Sequence, residues 1–163
     1  DARMNVRAVI VPHAGYVYSG AVAAHAFADI PRDSEFDNVF VIGSSHRVAF
    51  EGASVYTRGN YMTPLGEVPV NLELAGNLVR NHSLFSERTD AQLAEHSLEV
   101  QLPFLQYWLQ KPFRIVPIVL GTQNPATCRK IADILRPYFT GSNLFVISSD
   151  FSHYPGYEDA KRV

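Results

Sequence analysis

Asn38-Val39-Phe40-Val41-Ile42-Gly43-Ser44-Ser45-His46 is an apolar run that ends on a histidine. From Val39 to Gly43 nothing alternates with a polar residue, which is the pattern of a strand buried on both faces of a parallel sheet. Three more apolar runs of this kind lie along the chain, and two of them also lead to a histidine. Arg7-Ala8-Val9-Ile10-Val11 is short, β-branched and leads into Pro12-His13-Ala14-Gly15-Tyr16. Phe113 to Leu120 is a third buried run, stopped by Gly121. Asn143 to Ser148 is a fourth, and it leads into Ser149-Asp150-Phe151-Ser152-His153.

Helical patterns separate these runs. Ser19 to Ile30 reads as a helix, with Ser19 as N-cap and Pro31 as its stop. Leu72 to Asn81 reads as another. In Ser97 to Gln110 the residues Leu98, Leu102, Leu105 and Leu109 share one helical face, with Trp108 alongside. Pro103 within that segment implies either a bend or a later start. Pro125 to Tyr138 is a helix with a proline in its first turn. Ala53 to Tyr56 reads as a strand, followed by a hairpin from Tyr61 to Val70 around Pro64-Leu65-Gly66. No internal repeat, low-complexity stretch or linker interrupts the series. The alternation predicts a single α/β domain over residues 1–163, with a mainly parallel sheet flanked by helices and right-handed crossovers.

Composition bounds the function. The 163 residues are 47% hydrophobic and 18% charged, with a formal net charge of −2, ordinary for a globular domain. No basic excess is available to neutralise phosphates, which argues against nucleic acid as a partner. No run of about 18 apolar residues suggests a membrane span. Asp1-Ala2-Arg3-Met4 lacks the apolar core of a signal peptide. Cys128 is the single cysteine, so no internal disulfide forms, as expected in a reducing, cytoplasmic setting. An apolar strand starts within a few residues of one end, and a site-like loop starts close to the other. Both ends therefore read as cut, as in a fragment of a larger domain.

The chemistry gathers at strand ends. In a parallel sheet the carboxyl ends of the strands share one edge, and ligands bind in the crevice there. His13, His46, Asp150 and His153 follow three such strands. A lone histidine at a strand end is usually a loop residue with satisfied hydrogen bonds; several on one edge shift the balance toward a metal site. Neutral imidazole suits Fe, Cu and Zn. His96 stands at the entrance of the Ser97 helix, where the dipole disfavours its protonated form. It reads equally as an acid, base or anion holder and as part of a capping cluster with Ser97 and Glu99. Tyr16 and Ser45 flank the histidines as candidate pocket residues, and Tyr16 and Tyr18 either line the pocket and donate hydrogen bonds or pack with their hydroxyls satisfied. His25 and His82 read as surface or packing residues, and Cys128 as a small apolar residue in a helix away from the strand-end edge. No G-x-G-x-x-G or Walker pattern points to a nucleotide.

Four blocks together resemble the MEMO family (mediator of ErbB2-driven cell motility). They are Val11-Pro12-His13-Ala14-Gly15-Tyr16-Val17-Tyr18-Ser19-Gly20, then Gly43-Ser44-Ser45-His46. Glu95-His96-Ser97-Leu98-Glu99-Val100-Gln101-Leu102-Pro103-Phe104 follows, and last Ser149-Asp150-Phe151-Ser152-His153-Tyr154. They stand in the family's order and span nearly the whole chain. The family is related to class III, LigB-type extradiol dioxygenases, which hold iron on two histidines and a carboxylate. The resemblance implies His13 and His46 as metal ligands, His153 as an acid–base residue, and Asp150 and His96 in the same pocket. It implies iron or copper, with a cysteine as third ligand beyond this chain; Cys128 does not match it. Its bacterial and archaeal members are described as system protein B, working beside AMMECR1-like and radical SAM proteins. Three readings follow: a metal-binding, redox-related protein, a true ring-opening oxygenase with a small-molecule substrate, and a phosphopeptide- or protein-binding module that reuses the pocket.

Overall fold

The computed structural model describes residues 8–12, 27–45, 48–94 and 97–149. The four apolar runs become β1 (Ala8–Pro12), β2 (Asn38–Ser44), β7 (Arg114–Leu120) and β8 (Asn143–Ser149). Between them lie β3 (Ala53–Val55), β4 (Tyr61–Thr63), β5 (Gly66–Val68) and β6 (Phe85–Ser86). The helices are α1 (Leu72–Asn81), α2 (Thr89–Ala94), α3 (Ser97–Trp108) and α4 (Pro125–Leu135), the last continued by a 3-10 turn at Arg136–Tyr138. Six strands form one sheet in the order β1-β8-β2-β7-β3-β6, and β4 and β5 form a separate antiparallel ribbon.

β1, β8, β2 and β7 run parallel. Their side chains alternate between two cores, because successive residues of a strand point to opposite faces. Val39 and Val41 of β2, Ile115 and Val119 of β7, and Leu144 and Val146 of β8 pack on one face, with Leu102 and Leu105 of α3. Phe40, Ile42, Val116, Ile118 and Phe145 pack on the other, with Leu78 of α1 and Ile131 and Leu135 of α4. Burial on both sides explains the uninterrupted apolar reading of these strands. The mainly parallel α/β architecture expected from the sequence is the one observed.

The departures are local. β3 pairs antiparallel with β7, so the sheet is mixed at that side. β6 has two residues and α2 six, too few for a periodic signal to build up. Pro103 neither delays nor ends α3, which runs unbroken from Ser97 to Trp108. Pro117 sits inside β7, where a missing N–H usually breaks a ladder. Its carbonyl accepts from Tyr56 N at 3.1 Å, so its nitrogen also points toward β3, and β3 has ended at Val55. The proline therefore removes no bond between β2 and β7.

The amino-terminal edge of the sheet is held by three buried asparagines. Asn38 Nδ2 donates to Asn143 Oδ1 (3.1 Å), and Asn71 Nδ2 donates to Asn38 Oδ1 (2.8 Å). Asn143 Nδ2 donates to the Tyr138 carbonyl (2.9 Å), and Asn71 Oδ1 caps α1 by accepting from Leu74 N (3.1 Å). This network ties β2, β8 and α1 together with its amides paired. Asn38→Ala strands an acceptor on Asn143 and a donor on Asn71. The expected cost is about 2–3 kcal/mol, since buried groups then lose partners that water cannot replace. Urea denaturation reads it; a loss under about 0.5 kcal/mol would show that the amides find other partners.

Candidate functional site

Register decides where the chain leaves the sheet. Pro12 of β1 lies level with Ser149 of β8, and Ile42 of β2 lies level with Ile147. The last residues of β1, β8 and β2 therefore end side by side, with β8 in the middle. His13 follows Pro12, Asp150 follows Ser149, and Ser45-His46 follow Ser44 in the sequence. His13, Tyr16, His46, His96, Asp150 and His153 themselves lie outside the described residues.

Ser45 is described, and its role is local. Its backbone N–H donates to Leu120 O at 2.8 Å, and its hydroxyl accepts from Val48 N at 3.1 Å. Phe50 N donates to Gly121 O at 3.0 Å. The chain on both sides of positions 46 and 47 is thus tied to the carboxyl end of β7. The Ser45 oxygen thus links the described residues on either side of positions 46 and 47.

α3 approaches the same edge from above. Its last turn is fixed near the amino-terminal edge: Trp108 Nε1 donates to Ile30 O (2.7 Å), and Gln110 N donates to Arg32 O (3.0 Å). The Arg32 guanidinium donates to the carbonyls of Tyr107 (2.7 Å) and Trp108 (3.2 Å) and lies over both rings. A cation on the last carbonyls suits the negative end of the helix dipole. Residues 30–37 lead into β2, so the other end of α3, at Ser97, points to the carboxyl edge. That is the end His96 precedes.

Two buried polar atoms were not singled out by the sequence. Gln101 is 1% exposed and Ser148 is 4% exposed. Among the described residues, neither Gln101 Oε1 nor Ser148 Oγ has a hydrogen-bond partner. Leaving a buried acceptor unpaired costs on the order of 1–3 kcal/mol. Ser148 shares strand parity with Leu144 and Val146, which places it on the α3 face, one residue short of the end of β8. Gln101 lies about one turn into α3, beside Leu102 and Leu105 of the same core. The available signal was a glutamine at i+3 from Leu98 and i−4 from Leu105, polar on an otherwise apolar stripe.

Cys128 is half-buried in the first turns of α4, nearer the carboxyl edge than expected, but under the opposite face of the sheet. It lines an apolar cavity of about 400 Å³ with Ile42, Leu120, Ile131, Phe145 and Ile147. Burial pushes its thiol pKa up, and the Glu51 carboxylate adds to the shift. A raised pKa leaves less thiolate at any given pH, and thiolate is the nucleophile and the metal ligand. Its reading as an inert apolar side chain is consistent with these surroundings. Iodoacetamide at pH 8 is expected to label Cys128 several-fold more slowly in the native protein than in urea. Equal rates would show an open, reactive thiol. Apart from Cys128 and Arg136 the cavity is lined by apolar side chains. His82 is the C-cap of α1, its ring edge-on to Phe85 at 6.4 Å, as fits a packing residue. Among the described residues no group of three His, Cys, Asp or Glu side chains could hold a metal. No described helix is long and apolar enough to cross a membrane.

Comparison with known proteins finds relatives over nearly the whole chain. Over 156 residues the chain is 38% identical to a MEMO1 family protein of Desulfurococcus amylolyticus, covering 94% of this chain and 55% of that protein. It is 40% identical over 154 residues to one of Thermoplasma acidophilum, covering 94% and 56%. A third, from Sulfurisphaera tokodaii, is 39% identical over 153 residues, covering 91% and 54%. The chain spans about half the length of the curated relatives it matches. The sequence profile of the Memo-like proteins matches residues 2–162. This chain belongs to the Memo-like protein family.

Proposed function

We propose that this chain supplies part of a redox-related metal site at the carboxyl edge of its sheet. His13 and His46 are two of the ligands, and the metal is iron or copper. His153 is the acid–base residue, and His96 and Asp150 line the same pocket. The observation that carries the reading is the register of three adjacent parallel strands, β1, β8 and β2. The strands end at one edge, and His13, Asp150 and His46 follow them in the sequence.

The donor set suits such a metal. Two imidazoles are good ligands for iron and copper. Buried, unpaired side-chain oxygens lie close to the same edge, as a site needs when its imidazole N–H groups require acceptors. The third ligand is expected beyond this chain, and a thiolate there would favour copper over a plain iron dioxygenase. When bound, the metal supplies a redox-active centre with open positions for a small-molecule substrate or dioxygen. The protein's own part is to hold the imidazoles neutral and oriented. His153 would then give or take a proton at the ligand.

Metal analysis tests the reading, on the longer protein that includes the third ligand, as purified and after anaerobic loading with Fe(II) or Cu(I). Near-stoichiometric iron or copper is expected. No retained metal in either preparation would overturn it. A catalytic fold reused to bind phosphopeptides or proteins would then be the better account.

A further inference from the structure

We propose that the cavity beside α4 binds an amphipathic anion, a carboxylate on a saturated hydrocarbon chain. The chain lies in the cavity and the carboxylate meets Arg136 at its mouth. This site is separate from the candidate metal site. It lies on the face of the sheet opposite to α3, among the residues that pack with Ile131 and Leu135.

Side-chain size accounts for the space. Ala8 on β1 lies level with Phe145 on β8, and Ala132 lines the same cavity from α4. Each alanine carries a single methyl where its neighbours in the wall, Ile131, Leu135 and Ile147, carry branched chains. Helix and sheet therefore do not close on one another there, and about 400 Å³ is left between them. Small-molecule sites are commonly pockets of about 300–1,000 Å³ with apolar walls and a few placed polar groups. A dry apolar cavity of about 150 Å³ already holds benzene, so this one has room for a longer hydrocarbon chain.

Charge at the two ends selects the occupant and its direction. Cys128, Ala132 and Arg136 are four residues apart in turn, run along one side of α4 and its continuation, and all line the cavity. Arg129 stands seven residues before Arg136, two turns away on the same side, and both are exposed. Asp133 takes one N–H of the Arg136 guanidinium at 2.5 Å, and a guanidinium carries five. From Cys128 to Arg136 the chain holds Arg129, Lys130 and Arg136 against Asp133 alone, although its formal net charge is −2. At the other end Thr127, beside Cys128, donates to the Glu51 carboxylate at 2.7 Å. An anionic head is thus drawn to the Arg136 end and repelled from the Cys128 end, while an apolar tail suits the walls between.

Calorimetric titration of the longer protein with decanoate, kept below its micelle concentration, tests this. Saturable one-to-one binding is expected. Decanol, the same chain without the charge, should bind about tenfold more weakly, and so should decanoate to Arg136→Gln, because a charge-assisted hydrogen bond is lost in each case. Ala132→Trp fills the cavity and should abolish binding without lowering the melting temperature. Cys128 reports occupancy: saturating decanoate should slow its alkylation by iodoacetamide about tenfold, since a covered thiol reacts slowly. No decanoate binding by the unmodified protein would overturn the inference; another part of the longer chain filling the cavity would give that result. Binding that survives Ala132→Trp with Cys128 unprotected would place the ligand elsewhere and overturn it too. Equal affinity for decanol and decanoate would remove Arg136 from the site. Attachment to phosphatidylglycerol vesicles without binding of free decanoate would make α4 a membrane-facing surface instead. If Ala132→Trp fails to fold, the exposed Arg136→Gln change and the Cys128 protection still decide the matter.

Discussion

The His13→Ala/His46→Ala double variant is expected to lose tight iron or copper binding altogether. Removing an outer partner of a ligand typically costs about 10–100-fold in metal affinity. Removing two ligands should exceed that by a wide margin, since each imidazole supplies a coordinate bond and no neighbour replaces it. The double variant should nevertheless fold. Both positions follow strand ends, and the apolar residues that hold β1 and β2 in the sheet are untouched. The measurement is metal content by elemental analysis beside a thermal melt. Metal-free protein with an unchanged metal-free melting temperature supports the assignment. Wild-type metal content in the double variant would remove His13 and His46 from the site.

Phe40→Ala should be among the most destabilising single changes in the described core. Phe40 is fully buried at the middle of β2, and its ring stacks on Phe145 with centroids 4.5 Å apart and planes within 1°. Tyr138 lies against it at 5.5 Å. Truncation leaves a cavity between β2, β8 and the end of α4 that rigid strands cannot close. The expected loss is about 3–5 kcal/mol, a large share of the roughly 5–15 kcal/mol that holds a typical domain together. Met62, 73% exposed on the β4–β5 ribbon, is the contrast, and Met62→Ala should stay within about 0.5 kcal/mol. Chemical denaturation should show a lower midpoint for Phe40→Ala with an unchanged slope. A loss under about 1 kcal/mol would mean that the core around β2 repacks. Metal affinity should fall with stability only in Phe40→Ala, because β2 carries the chain to Ser45 and His46.

The sequence by itself determined the fold class and pointed to a candidate site at the strand ends. Val39 to Ile42, Ile115 to Leu120 and Leu144 to Ile147 are apolar without alternation because each strand is buried on both faces, and burial is a property composition reports directly. Of these strands β2 and β8, and β1 with them, lead in the sequence to histidines and an aspartate, so the candidate ligands could be chosen before any fold was known. Order and register could not be read this way. That β8, which leads in the sequence to Asp150, enters between β1 and β2 depends on pairing among strands more than a hundred residues apart. The reversal of β3 is likewise a matter of pairing, since a strand carries no mark of its partner's direction. Gln101, Ser148 and the shielded thiol of Cys128 gained meaning only from tertiary structure. A glutamine or serine in a sequence is as easily solvated as buried. Only packing against a second layer strips away the water and leaves an oxygen needing a partner.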